Sequence, residues 1–136
     1  MSGGASGGAS AESAVQAAAL AAVRAVPGLN GVYLAPPVKA TVPYAELGDL
    51  LSGDWSVKDR AGRELRLMVT VRDAGESNAR VQALAGAVGA AIEGLPRELD
   101  GWRIASVVLV RSRVRGGLPG RWAATVEYRV RVLAAE

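Results

Sequence analysis

Chemistry in a short chain needs titratable or nucleophilic groups held close together, and this sequence offers few. Carboxylates pair only loosely, as at Asp54 with Asp59 and at Glu98 with Asp100. Such pairs can run glycoside hydrolysis or hold a divalent cation, provided that they converge in a pocket. Both pairs sit beside Gly or Pro in loop-like sequence, where solvated surface is their usual setting. Trp55 beside Lys58 and Arg60 could stack a base over a basic patch, yet phenylalanine is absent and no aromatic ladder accompanies it. With no Cys and no His in 136 residues, thiolate nucleophiles, disulfides, the usual neutral-pH general base and the commonest zinc ligand are all missing. No phosphate-binding Gly-Lys-Ser/Thr, nucleophile elbow or dinucleotide glycine fingerprint is present. The residues assemble no catalytic set, and neither an enzyme nor a cofactor or metal is expected.

Arginine is the other distinctive group. Lys and Arg total 16 against 13 Asp and Glu, and only Lys39 and Lys58 are lysines. The charge is uneven: residues 101–136 carry seven Arg against Glu127 and Glu136, a net of +5. Arg113, Arg115 and Arg121 flank the turn Gly116-Gly117-Leu118-Pro119-Gly120. If that turn is symmetric, Arg115 lies directly across from Arg121, with Arg113 on the same polar face. Like charges so opposed cost stability, and an anionic partner, carboxylate or phosphate, would relieve the cost. A solvent-screened edge that discourages stray strand pairing accounts for the same residues.

The elements that must position these groups are readable by period. Residues 1–9 form a Gly/Ser/Ala repeat with no side chain worth burying, which predicts a flexible tail. Residues 10–136 are then a single domain. Ser10 can cap a helix running to about Val26, where Pro27-Gly28 stops it. Short strands come next, at 32–34 and from Tyr44 to about Leu51. A third spans Arg63 to Arg72, where Leu65, Leu67, Val69 and Val71 alternate with polar residues. The loop Gly53–Gly62 between them is long and a candidate for binding, with Trp55, Lys58, Arg60 and Arg63 as contacts. A second helix covers 76–93. Two strands close the chain, at 102–115 and 121–133. In the first, Trp102, Ile104, Val108, Val110 and Val114 are read on one face. In the second, Trp122 through Val132 alternate with Arg121, Thr125, Glu127, Arg129 and Arg131. The order α-β-β-β-α-β-β predicts an α+β domain of about five mostly antiparallel strands, with two Ala-rich helices on one sheet face.

Those helices carry little polar surface. Nothing polar stands between Ala83 and Ile92, so Ala87 and Ala90 become candidate subunit contacts. A helix apolar nearly all round usually has a second partner, either a sister helix or another subunit. The apolar runs are too short for the roughly 20 residues that cross a bilayer, so no membrane is expected. No secretory signal is visible, which predicts a protein made in a reducing cytoplasm.

Several stretches, taken in order, resemble the tail-terminator (tail completion) proteins of long-tailed bacteriophages and gene transfer agents. They are Gly31-Val32-Tyr33 before a Pro-rich bend, Val42-Pro43-Tyr44-Ala45-Glu46-Leu47-Gly48, Asp54-Trp55-Ser56 and Gly62-Arg63-Glu64-Leu65. Glu76-Ser77-Asn78-Ala79 then opens the second helix, Leu99-Asp100-Gly101-Trp102 comes after it, and the chain ends on Trp122-x-x-x-Val126-x-Tyr128-x-Val130. The likeness covers about residues 11–134. It departs in the glycine-rich tail and at Arg72-Asp73-Ala74, where an aromatic often stands. The resemblance implies a structural virion protein: a homohexamer ring on the head-proximal end of the tail tube. Such a ring stops tube elongation, joins the head connector or stopper protein, and passes DNA through its channel. The tail-tube protein would be its other partner, and a bacterial host its place of synthesis. The competing reading is a non-specific nucleic-acid-binding domain that uses the Arg-rich C-terminal hairpin.

Overall fold

The structure, a computed structural model, describes residues 9–136. The tail expected at 1–9 therefore falls outside the described residues, apart from Ala9. Helix α1 spans Ala11–Arg24. Ser10 Oγ accepts the Ser13 N–H at 3.0 Å, Glu12 sits at the positive end and Arg24 at the negative end. Ala11, Val15, Ala19 and Val23, four residues apart, form its buried stripe. The helix ends at Arg24, and Gly28 takes φ 97° in the turn beyond it.

Helix α2 spans Ala79–Glu93, three residues shorter than the sequence predicts. Ser77 Oγ accepts the Ala79 N–H and the Asn78 carbonyl accepts the Gln82 N–H, so 76–78 approach the helix and do not join it. Val81, Ala85, Val88 and Ile92 face inward. Gly89 must be glycine, because a Cβ there would stand 2.9 Å from the Tyr128 hydroxyl.

Among the described residues the sheet has seven strands, more than the five expected. They are β1 (Val32–Tyr33), β2 (Tyr44–Leu47), β3 (Leu51–Asp54), β4 (Gly62–Ala74), β5 (Glu98–Leu99), β6 (Trp102–Gly116) and β7 (Arg121–Ala134). The order is β1-β2-β4-β7-β6-β5, with β3 beside the start of β4, and only β1 with β2 is parallel. The single strand expected at 44–51 breaks at Gly48-Asp49-Leu50 into β2 and β3, which pair with different parts of β4. Both helices lie over one face, and the core is made between them and the inward residues of β4 and β7.

The C-terminal hairpin corrects two expectations. Register shifts between Ile104 and Ser106 and between Leu109 and Arg111 interrupt the alternation of β6. Each extra residue flips the subsequent side chains to the other face. Val107 and Leu109 thus take the helix side, opposite Val130 and Tyr128, while Val108 faces away opposite Arg129. The turn is also asymmetric. Arg115 pairs with Ala123 and Gly116 with Trp122, so Arg115 and Arg121 are not directly opposed.

Asp73, 3% exposed at the end of β4, ties the sheet to α2. Its carboxylate accepts two hydrogen bonds from Arg80, at 2.8 and 2.6 Å, and one from the Ala74 N–H at 2.8 Å. The Arg80 bonds, against the opposing effect of burial, hold the Asp73 carboxyl below the ordinary range. A group whose folded value is depressed stabilises above its unfolded pKa, about 3.9, and that contribution vanishes as pH falls through the folded value. Asp73→Asn is expected to lower stability at pH 7 by about 1–2 kcal/mol, much of Arg80 being in water. The difference from wild type should close below pH 4, as read by denaturant melts across pH.

Candidate functional site

The sheet face turned away from the helices is built by the alternate residues of three long strands. β4 contributes Glu64, Arg66, Met68, Thr70 and Arg72; β7 contributes Ala123, Thr125, Glu127, Arg129 and Arg131. β6 adds Ser106, Val108, Arg111, Arg113 and Arg115. Register sets these in rows: Arg72–Ala123–Arg115, Thr70–Thr125–Arg113 and Met68–Glu127–Arg111. Eight arginines, Arg121 opposite Ala74 included, share this face with Glu64 and Glu127, and with Glu46 from β2.

The acids are all engaged. Glu127, 7% exposed, bridges Arg66 at 3.0 Å and Arg111 at 3.1 Å. Arg72 holds Glu46 at 2.7 Å and Arg131 holds Glu64 at 2.8 Å, which keeps the Glu64 carboxyl below the ordinary range. The Thr70 and Thr125 hydroxyls meet at 2.9 Å. Arg113, Arg115, Arg121 and Arg129 make no ion pair among the described residues. Of the four, Arg129 lies mid-sheet opposite Arg66, and Arg113, Arg115 and Arg121 lie at the hairpin end of the face. There Arg72, Arg115 and Arg121 line a shallow recess of about 270 Å³. Arg72 and Arg111, which complete the cluster, were not singled out by the sequence. The usable signal was parity, since both are polar positions of alternating strands.

The second group of expected contacts is largely occupied within the fold. The Arg131 guanidinium lies over the Trp55 ring, 5.2 Å from its centre. Arg60 pairs with Glu136, and Arg63 with Glu12 at 3.0 Å and Ser52 at 3.1 Å. Lys58 alone of the four projects as an exposed cation without an ion pair among the described residues. The loop is shorter than the sequence suggests, because β3 runs to Asp54 and Val57 bridges Arg60 across a tight turn. On α2, Ala87 and Ala90 are exposed, in a face that also includes Ala83 and Gly86. Between α2 and β6 runs a groove of about 380 Å³, floored by Gly86, Gly89 and Ala90 and walled by Leu109 and Val114.

Among the described residues no group of three or more acids could hold a metal ion, and no helix is long and apolar enough to cross a membrane. A search of curated proteins finds no match to the sequence. The family model of the tail completion protein gp17, however, matches residues 13–133. The chain belongs to that family. Among solved structures, a chain from the virion of a native gene transfer agent particle is similar, at 25% identity and a TM-score of 0.78. The likeness covers 93% of this chain and all of that one. Membership of the tail completion family makes this a structural tail protein.

Glu127 sets how positive that surface is. Glu127→Gln leaves Arg66 and Arg111 without their carboxylate and should cost about 1–2 kcal/mol, both guanidinia being partly in water. The variant should also elute from heparin at higher salt than wild type, since the face gains one net positive charge.

Proposed function

We propose that this tail completion protein acts as a ring, six copies in a closed circle, on the head-proximal end of the tail tube. The ring halts tube growth, offers its other surface to the head connector or stopper protein, and passes DNA during ejection. The protein accordingly works within a phage or gene-transfer-agent particle and needs no catalysis. The observation that carries the reading is the family match over nearly the whole chain, joined to a fold shared with a virion component along that component's full length.

Two surfaces of the molecule suit this work. The exposed α2 face of Ala83, Gly86, Ala87 and Ala90 has no charge to desolvate and permits close backbone approach. The arginine face suits a DNA channel, because phosphate attraction that is diffuse and screened lets the duplex slide. The same face favours a second reading, a domain that binds nucleic acid without forming a ring. Steep salt dependence of DNA binding, with no assembly at tube ends, would be its signature.

Negative-stain imaging of the purified protein with tail-tube subunits tests the ring. Capped tubes of bounded length are expected. Because Ala87 and Ala90 are exposed, Ala87→Glu and Ala90→Glu should keep the wild-type circular dichroism spectrum and abolish capping; capping by both folded variants would remove α2 from the contact.

The hairpin arginines are tested by replacing Arg113, Arg115 and Arg121 together. If they line the channel, the Lys set delivers DNA as wild type does and the Ser set delivers it more slowly. If they dock fixed carboxylates, Lys cannot reproduce the bidentate geometry, and heads detach from tails already in the Lys set.

A further inference from the structure

Among the described residues the sheet is left open at both sides, and the two open edges are opposite in character. Beyond Arg103, where β5 ends its pairing, the outer side of β6 has no strand partner among the described residues through Gly116. That makes an edge of more than ten residues without Pro or Lys, interrupted by the two register shifts and regular from Arg111 to Gly116. It exposes Val108, Leu109, Val110 and Val114, and its stretch from Ser106 to Arg121 carries Arg111, Arg113, Arg115 and Arg121 with no acid. On the far side of the sheet β3 pairs, among the described residues, only with β4, and no strand covers its outer edge. All four residues of β3 are exposed, Leu51 by 65%. Between Gly48 and Val57 the only charges are Asp49 and Asp54.

We infer that the β6 edge of one copy takes the β3 edge of a second copy as an added strand, so that the sheet continues from subunit to subunit. The inference deepens the ring reading and rests on it. Main-chain hydrogen bonds supply the attraction in such strand addition, and the side chains select the partner. Here selection is by charge, four arginines against two aspartates, and by apolar side chains that meet where both edges are otherwise wetted. The contact joins two different patches of one molecule, so each copy keeps one free edge of each kind. Contacts of this head-to-tail type close into rings when the rotation permits. The groove between α2 and β6 lies alongside the seam, which brings Ala90 and Gly86 into the same contact. A sheet continued in this way, with helices on one side, turns the arginine faces of all copies toward the same side of the ring.

Charge exchange between the edges tests the seam. Three variants are prepared: Asp49→Arg with Asp54→Arg, Arg113→Glu with Arg115→Glu, and the combination of all four. Circular dichroism confirms that each keeps the fold, as the exposure of these residues predicts. Ring occupancy at tail-tube ends is then counted by negative stain. Each two-residue variant should lose occupancy by roughly tenfold or more, because like charges meet at every seam. The four-residue variant should regain it, because each seam again joins opposite charges with the signs exchanged. The seam is overturned if both two-residue variants cap as wild type does, or if the combination remains as impaired as they are. If wild-type protein itself leaves tube ends uncapped, the ring reading fails and the seam falls with it.

Discussion

The pairing of β4 with β7 is the constraint on which the rest of the molecule depends. It runs unbroken from Gly62 opposite Leu133 to Ala74 opposite Arg121. Two faces arise from one ladder, because neighbouring residues point to opposite sides. One side offers Leu65, Leu67, Val69 and Val71 with Val126, Tyr128, Val130 and Val132, all buried. Burial of that size compels the two helices to lie there, since leaving it in water would cost about 1.5–3 kcal/mol for each large side chain. The other side is released from core duty and becomes the arginine face. Function, on this account, uses the surface that packing does not need.

Electrostatics decides what that surface can do. Arg66, Arg72, Arg111 and Arg131 are held by carboxylates, which fixes their guanidinia and lowers the local field. Of the remaining arginines, Arg113, Arg115 and Arg121 cluster at the hairpin end, while Arg129 stands mid-sheet opposite Arg66. Partial neutralisation of this kind leaves the face moderately positive. At physiological salt the field of the exposed charges decays over about 8 Å, so only a phosphate backbone passing close to the face is influenced. Helix α2 complements this with a face that carries almost no field. A charged and an uncharged surface thus lie on different layers of one small domain.

Much of this was legible in the sequence wherever a single rule governed a long stretch. The period-two run of β4 and the matching run of β7 announced the two central strands, and Ser10 and Pro27-Gly28 announced the limits of α1. What could not be read was set by interactions at a distance. The bulges of β6 leave no trace in composition, yet they exchange the faces of Val108 and Leu109 and shift Arg115 away from Arg121. Strands of two and four residues, such as β5 and β3, are too short for periodicity and exist because β6 and β4 offer them an edge. The basic cluster was half visible: the turn drew attention to Arg113, Arg115 and Arg121, while Arg72 joins them only through the β4–β7 register. Trp55, Arg60 and Arg63 show the converse. Their types suggested binding, and the fold uses all three internally, through Arg131, Glu136 and Glu12.

The central claim is that this structural tail protein ends the tube and joins it to the head. The most direct measurement is electron microscopy of particles produced with and without the chain, with tail length and head attachment scored on the same grids. The account predicts that tails made without it lack heads and have tubes of unregulated, greater length, and that supplying the protein restores both properties. Tails of normal length attached to heads in its absence would contradict it.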